Sequence, residues 1–201
     1  MLIIGLTGPS GAGKGLISSL FARYGVPSLD TDVIYHELTT PPSACLNELV
    51  VAFGTTILTP DGGLDRRVLS ELVFASGHED HLQRLNAIAH RHVLDEVRRR
   101  LNGHREAGVA AVLVDAPQLF ESGFDRECDK VLSVLASREL RLARIMERDG
   151  LDRIHAEARL NAAKPDEFFV RHSDAVITND GDISTAEASV RRLLRDWEVI
   201  S

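Results

Sequence analysis

The stretch Leu2-Ile3-Ile4-Gly5-Leu6-Thr7-Gly8-Pro9-Ser10-Gly11-Ala12-Gly13-Lys14 runs from a short apolar segment into a glycine-rich loop that ends in lysine. Glycines let the backbone turn its N–H groups inward around a phosphate. The helix that follows adds partial positive charge at its N-terminus, and Lys14 supplies a full one. The pattern points to a nucleotide, with a triphosphate as the natural occupant; the plain alternative is a glycine-rich turn after a buried strand, with no ligand. One position departs from the full pattern. A Ser or Thr is expected straight after the lysine, to place a hydroxyl on Mg2+, and here Gly15 and Leu16 stand instead. Glycine in a helix's first turns costs up to about 1 kcal/mol relative to alanine, so Gly15 is not explained by helix stability.

Beyond the loop, the apolar spacing of Leu16, Ile17, Leu20, Phe21 and Tyr24 predicts a helix over 16–24, ended by Gly25 and Pro27. Residues 27–30 read as a short second strand, and residues 31–38 as a helix capped by Thr31 or Asp30. Pro41 and Pro42 break the chain before an amphipathic helix over 44–53, and Pro60-Asp61-Gly62-Gly63 marks a turn. Helices are expected over 64–75 and 81–101. Ala110 to Asp115 is a continuous apolar run closing on an acid, as a fully buried parallel strand requires, and 130–135 is a second such run. Helices over 137–149, 151–163 and 165–172, a last strand over 175–178 and a closing helix over 184–197 complete the chain. Strands alternating with helices imply an α/β fold with a parallel sheet of about five strands flanked by helices, and ligands at the strands' carboxyl ends. The second strand is expected beside the first. Residues 61–103 read as a helical substrate-binding subdomain, and 138–172 as a lid region, within one domain spanning 1–201.

At 201 residues, 44% hydrophobic and 26% charged, the chain can bury one substantial core. A net charge of −7 argues against nucleic acid held by bulk charge and favours a small anionic ligand. No apolar run approaches the roughly 20 residues that span a bilayer, so no membrane partner is expected and the protein is placed in the cytosol. Cys45 and Cys128 lie far apart with no metal-ligand spacing, and read as reduced, mostly buried thiols. Oligomeric state is not readable from the sequence.

Phosphoryl transfer on such a scaffold needs a phosphate cradle, a group beside the acceptor hydroxyl, an acid in the metal's water shell and arginines over the transferring group. Asp30 and Asp32 follow the second strand; Asp32 is the candidate for orienting or deprotonating the acceptor, against the alternative that both merely cap a helix. Asp115, ending the third strand, can hold Mg2+ directly or through water, and would have to complete the metal shell where Gly15 offers no hydroxyl. Arg138, Arg141, Arg144, Arg148, Arg153 and Arg159 crowd the helical pair after the fourth strand, with Arg141, Arg144 and Arg148 recurring on one side. His90 and His92 sit two apart, about 200° around a helix, so at most one faces a given ligand.

These residues together resemble the dephospho-coenzyme A kinase family across nearly the whole chain. The resemblance rests on Ile4-Gly5-Leu6-Thr7-Gly8 with the Gly-x-Gly-Lys loop, Asp30-Thr31-Asp32, Phe53-Gly54, Asp61-Gly62-Gly63-Leu64-Asp65-Arg66 and Leu85-Asn86-Ala87-Ile88-Ala89-His90. It continues through Asp115-Ala116-Pro117-Gln118-Leu119-Phe120-Glu121, Arg148-Asp149 and Val176-Ile177-Thr178-Asn179. It implies a P-loop kinase fold with a CoA-binding part and a lid, and ATP-dependent, Mg2+-assisted phosphorylation of the ribose 3′-hydroxyl of dephospho-CoA, the last step of coenzyme A biosynthesis. By the same resemblance, Gly11, Ala12, Gly13, Lys14, Gly15 and Leu16 hold ATP phosphates, Asn179 lies near adenine, and Asp32 acts on the hydroxyl. Asp115 lies near the metal and Arg144 and Arg148 in the lid. Asn86, His90, Leu119, Phe120 and Glu121 lie along the acceptor. The departures from the family pattern are Gly15-Leu16 for Ser-Thr, Arg91 for a proline, and Ala163 for a lid glutamine. Two other readings stay open: a kinase for a different small acceptor, and a catalytically weak or silent nucleotide- or CoA-binding homologue.

Overall fold

β1 (Leu2–Thr7) is the centre of the architecture and is buried on both faces, with Ile4 and Leu6 on one and Gly5 and Thr7 on the other. In the computed structural model, which describes residues 1–75 and 79–201, it pairs in parallel with β3 (Ala111–Asp115) on one side and with β4 (Lys130–Leu135) on the other. With β2 (Ser28–Asp30) and β5 (Ala175–Thr178) the order is β2-β3-β1-β4-β5, a five-stranded parallel sheet.

The expectation that β2 lies beside β1 is therefore corrected: β2 neighbours β3, at the sheet edge. The reason is burial. The continuous apolar runs of β3 and β4 are buried on both faces and compete best for the two sides of β1. β2 is three residues long and alternates exposed, buried, exposed, which suits an edge. In register, Asp115 pairs with Leu6, so the strand-end acid lies beside the residues that lead into the glycine loop.

The chain forms two compact units, Met1–Leu29 with Gly103–Ser201, and Asp30–Asn102. In the first, α1 (Lys14–Arg23) and α9 (Ile183–Asp196) pack Ile17, Leu20, Phe21, Val190 and Leu194 against β1, β3 and β4. It also holds α6 (Arg138–Asp149), α7 (Arg153–Asn161) and α8 (Asp166–His172), and a smaller cluster of Leu142, Ile145, Ala156 and Leu160 pins α6 to α7.

The second unit contains α2 (Thr31–Leu38), α3 (Ala44–Phe53), α4 (Arg66–Val73) and most of α5 (Glu79–Glu106). Cys45, Leu49, Ile57, Leu69, Val73 and Ile88 form its core. Side chains set the helix starts: Asp30 caps α2, Ser43 caps α3 and Asp65 caps α4. Each such cap contributes on the order of 1 kcal/mol. Because Asp65 is the cap, α4 begins at Arg66, later than the apolar spacing from Leu64 suggests, while α5 is longer than expected at both ends. Residues 76–78, within the expected 61–103 stretch, lie outside the described residues. Both cysteines are free; burial pushes the Cys45 thiol up to about 11 and the Cys128 thiol up to about 12, so both stay protonated. Among the described residues no helix is long and apolar enough to cross a membrane.

Candidate functional site

The loop between β1 and α1 is held by its neighbours at almost every carbonyl. Lys14 Nζ donates to the Gly8 carbonyl at 2.9 Å. Arg141 Nε donates to the Ser10 carbonyl at 3.0 Å. One terminal nitrogen of Arg144 reaches the Gly11 and Ala12 carbonyls, at 3.2 and 3.3 Å, and the other reaches the Asn179 carbonyl at 3.1 Å. Asn179 Nδ2 donates to the Ala12 carbonyl at 2.9 Å, and Arg148 donates to the Ser10 hydroxyl at 3.3 Å. Peptide C=O and N–H dipoles point in opposite senses. A loop whose carbonyls are tied off by cations and an amide is left to present its N–H groups, which is the polarity an anion requires.

Three glycines are dictated by this close packing. A Cβ on Gly8 (φ 140°) would stand 2.2 Å from the Val134 carbonyl oxygen, one on Gly11 (φ 80°) 2.6 Å from the Arg141 carbonyl oxygen, and one on Gly13 (φ 92°) 2.2 Å from Asn179 Nδ2. Gly13 is also the N-cap of α1 and gives it no side-chain cap, and no acid sits in the first turn. Where Asp30, Ser43, Asp65, Asp152 and Asp182 spend a side-chain oxygen on their helices, α1 begins without one.

Gly15 lies one residue into α1, exposed, and a Cβ built there meets nothing within 4 Å. Nothing in the packing demands glycine. We therefore expect Gly15→Ser to fold as the parent does, to lower the Mg2+ concentration at half-maximal rate several-fold, and to raise the rate at limiting Mg2+. A Mg2+ titration of both proteins checks this, and an unchanged midpoint would mean that the metal is held without that position.

Asp115 is 9% exposed and sits beside Leu6. Among the described residues no cluster of His, Cys, Asp and Glu forms an all-protein metal cage. Mg2+ commonly takes one or two carboxylates and fills the rest of its shell with water and substrate phosphates. One strand-end carboxylate beside a phosphate loop fits that habit.

The arginines of α6 and α7 divide by role. Arg141 is 7% exposed; burial lowers its pKa, and Asp166, 3.3 Å away, opposes that shift. Arg144 and Arg148 turn to the loop as well, so the three spaced at helical intervals on α6 share one target. Arg138, Arg153 and Arg159 turn instead to Asn161, Glu157 and Asp149. Arg148, and then Arg159, hold the Asp149 carboxyl down to about 2, which keeps that pair ionised throughout the neutral range.

The other sequence candidates fall as follows. Asp30 Oδ1 accepts from the Asp32 and Val33 amides at 2.8 and 3.1 Å and is a cap. Asp32 does not share that task; it stands exposed in the first turn of α2. Asn86 and His90 are half-buried on α5. His92 bonds Glu48 at 2.8 Å, and Arg91, where the family pattern has proline, bonds both oxygens of the same carboxylate. Leu119 is fully buried and packs under β1 near Gly5, so its side chain belongs to the core. Phe120 is half-buried among Phe168, Phe169 and His172, and Glu121 pairs with Lys164 at 2.9 Å.

The grip of Arg141 and Asn179 on the loop was not read from sequence. Arg141 carries a signal, its spacing with Arg144 and Arg148; Asn179 stands out only through the Val176-Ile177-Thr178-Asn179 motif, and no local pattern gives its contact with a loop 167 positions away.

A profile of the dephospho-CoA kinase family matches residues 2–185. The chain belongs to the dephospho-CoA kinase family. The dephospho-CoA kinase of Bacillus thuringiensis subsp. konkukian is 36% identical over 199 residues, covering 99% of this chain and 98% of that one. The enzyme of that name from Moorella thermoacetica is 38% identical over 192 residues, covering 95% and 90%. A Thermus thermophilus crystal structure superposes with a TM-score of 0.78 at 30% identity, covering 97% of each chain. The Campylobacter jejuni dephospho-CoA kinase gives 0.71 at 23% identity, over 97% and 96%. A shikimate kinase of Acinetobacter baumannii, at 0.56 and 19% identity, shares the fold. The chain is thus a P-loop kinase of the dephospho-CoA kinase family, a transferase of the last step of coenzyme A biosynthesis.

Proposed function

We propose that this chain transfers the γ-phosphoryl group of ATP to the ribose 3′-hydroxyl of dephospho-CoA in the cytosol, with Mg2+ held at Asp115 through water. The observation that carries the reading is the set of side-chain donors on the Gly8, Ser10, Gly11 and Ala12 carbonyls, which fixes the loop in an anion-binding polarity. The loop amides from Gly11 to Leu16 and the Lys14 ammonium hold the ATP phosphates, and Asn179 backs the loop on the adenine side. Asn86, His90, Phe120 and Glu121 lie along the acceptor, together with the backbone of Leu119.

Asp32 orients the 3′-hydroxyl and takes its proton as the oxygen attacks the γ-phosphorus. The new O–P bond forms as the bond to the β–γ bridging oxygen breaks, and ADP leaves. When bound, Mg2+ would neutralise charge on the phosphate oxygens, with Asp115 as the carboxylate that would hold it. Lys14, with Arg144 and Arg148 at the lid, stabilises the charge that spreads over the transferring group.

The test of acceptor choice is to offer ATP with dephospho-CoA or with shikimate and to locate any new phosphate by mass spectrometry. The expected product is coenzyme A, phosphorylated at the 3′-oxygen, with shikimate untouched; turnover of another acceptor alone would overturn the reading. The absence of a hydroxyl at Gly15 and Leu16 favours a second reading, a silent homologue that binds both substrates without turnover.

A further inference from the structure

α8 touches both the phosphate loop's brace and the Phe120–Glu121 segment. At its start, Asp166 accepts from Arg141, whose Nε holds the Ser10 carbonyl. Two residues on, the Phe168 ring meets Phe120 edge to face at 5.1 Å, and stacks with His172 at 4.2 Å, whose ring also lies 5.8 Å from Phe120. Just before the helix, Lys164 reaches Glu121 at 2.9 Å while its ammonium sits 4.2 Å from the centre of the Phe168 ring. Phe169, 6% exposed, anchors α8 in the interior beside the same cluster, 5.6 Å from the Phe168 ring and 6.4 Å from Phe120.

We propose that Phe168 and Lys164 are positioning residues for the acceptor, holding Phe120 and Glu121 at the angle that dephospho-CoA meets. The inference rests on the reading that Phe120 and Glu121 lie along the acceptor. A surface ion pair alone would contribute little. Here the same ammonium is shared between a carboxylate and a ring face, and that ring is packed at right angles to Phe120, so moving either residue releases both members of the segment. Asp166 ties the same helix to Arg141, so the phosphate loop and the acceptor segment are referenced to one rigid element.

The test compares Phe168→Leu, Lys164→Gln and the conservative Lys164→Arg with Phe120→Ala and Glu121→Gln in the full chain, reading KM for dephospho-CoA, KM for ATP and thermal midpoint. Phe168→Leu and Lys164→Gln are expected to raise KM for dephospho-CoA about tenfold, below the roughly 10²-fold cost in rate of a full 1 Å misplacement, with KM for ATP within about twofold. Lys164→Arg is expected to restore it. Lys164 is 38% exposed, so its variant reports even if Phe168→Leu disturbs folding.

If Phe120→Ala and Glu121→Gln raise KM for dephospho-CoA while the Phe168 and Lys164 variants do not, the positioning role is overturned and the acceptor reading survives. If none of the four moves it, the acceptor reading itself fails. A parallel rise in both KM values with a lowered thermal midpoint would mean that α8 is structural only, and would also overturn the proposal.

Discussion

Lys14→Ala is expected to lower kcat about 10³-fold while the protein remains folded. The ammonium is the one full positive charge that the loop sequence itself carries, at the first residue of α1 and 2.9 Å from the Gly8 carbonyl. Removing a single preorganised donor from a site of developing charge costs about 10²–10³ in rate, and cationic groups on a transferring phosphoryl are worth about 10³–10⁵. The cost to stability is small by comparison. One hydrogen bond to a charged donor, about 1.5–3 kcal/mol, is lost, and alanine is a better helix former than lysine. Arg141, Arg144 and Asn179 still hold the Ser10, Gly11 and Ala12 carbonyls, so the loop keeps its shape. Single-turnover transfer and a thermal melt check the two halves of this expectation. Near-parental turnover in a folded Lys14→Ala protein would remove the loop from the mechanism.

The second large effect is at Asp32. Asp32→Asn keeps the shape and removes the charge, and is expected to lower kcat by about 10²–10³, within the range for a positioned acid–base group, with little change in KM for either substrate. The neighbouring carboxylate is the internal control. Asp30 spends its Oδ1 on the Asp32 and Val33 amides, so Asp30→Ala should cost about 1 kcal/mol of stability as a lost cap and far less rate. Measured side by side, kcat and thermal midpoint separate the two acids. A variant of Asp32 that loses stability and keeps its rate would make it a second structural acid.

The two carboxylates show what the sequence could and could not resolve. Their place after a short strand was plain from Ser28-Leu29-Asp30, and the range of α2 matches the expected 31–38 because the cap is local chemistry. Which strand β2 adjoins was not local. Strand order depends on which buried runs compete for β1, and that competition is settled in the packed core, so β3 took the place expected for β2. The same distinction runs through the site. The glycine loop, Lys14 and the Arg141, Arg144, Arg148 spacing are short-range patterns and could be read directly. Asn179 on Ala12, Glu48 between Arg91 and His92, and Phe168 against Phe120 join segments distant in the chain, and no spacing rule announces them. Leu119 shows the same limit from the other side: it stands inside a family motif, and its side chain fills the core beneath Gly5.

On the proposed reading, the loop carries out Mg2+-dependent phosphoryl transfer although neither Gly15 nor Leu16 bears a hydroxyl. That reading is tested most directly by the initial rate of 3′-phosphorylation of dephospho-CoA by ATP in the wild-type protein as Mg2+ is raised from zero. A saturable rise in rate, with coenzyme A as product, is the expected result. Tight binding of ATP and dephospho-CoA with no product at any Mg2+ concentration would contradict it.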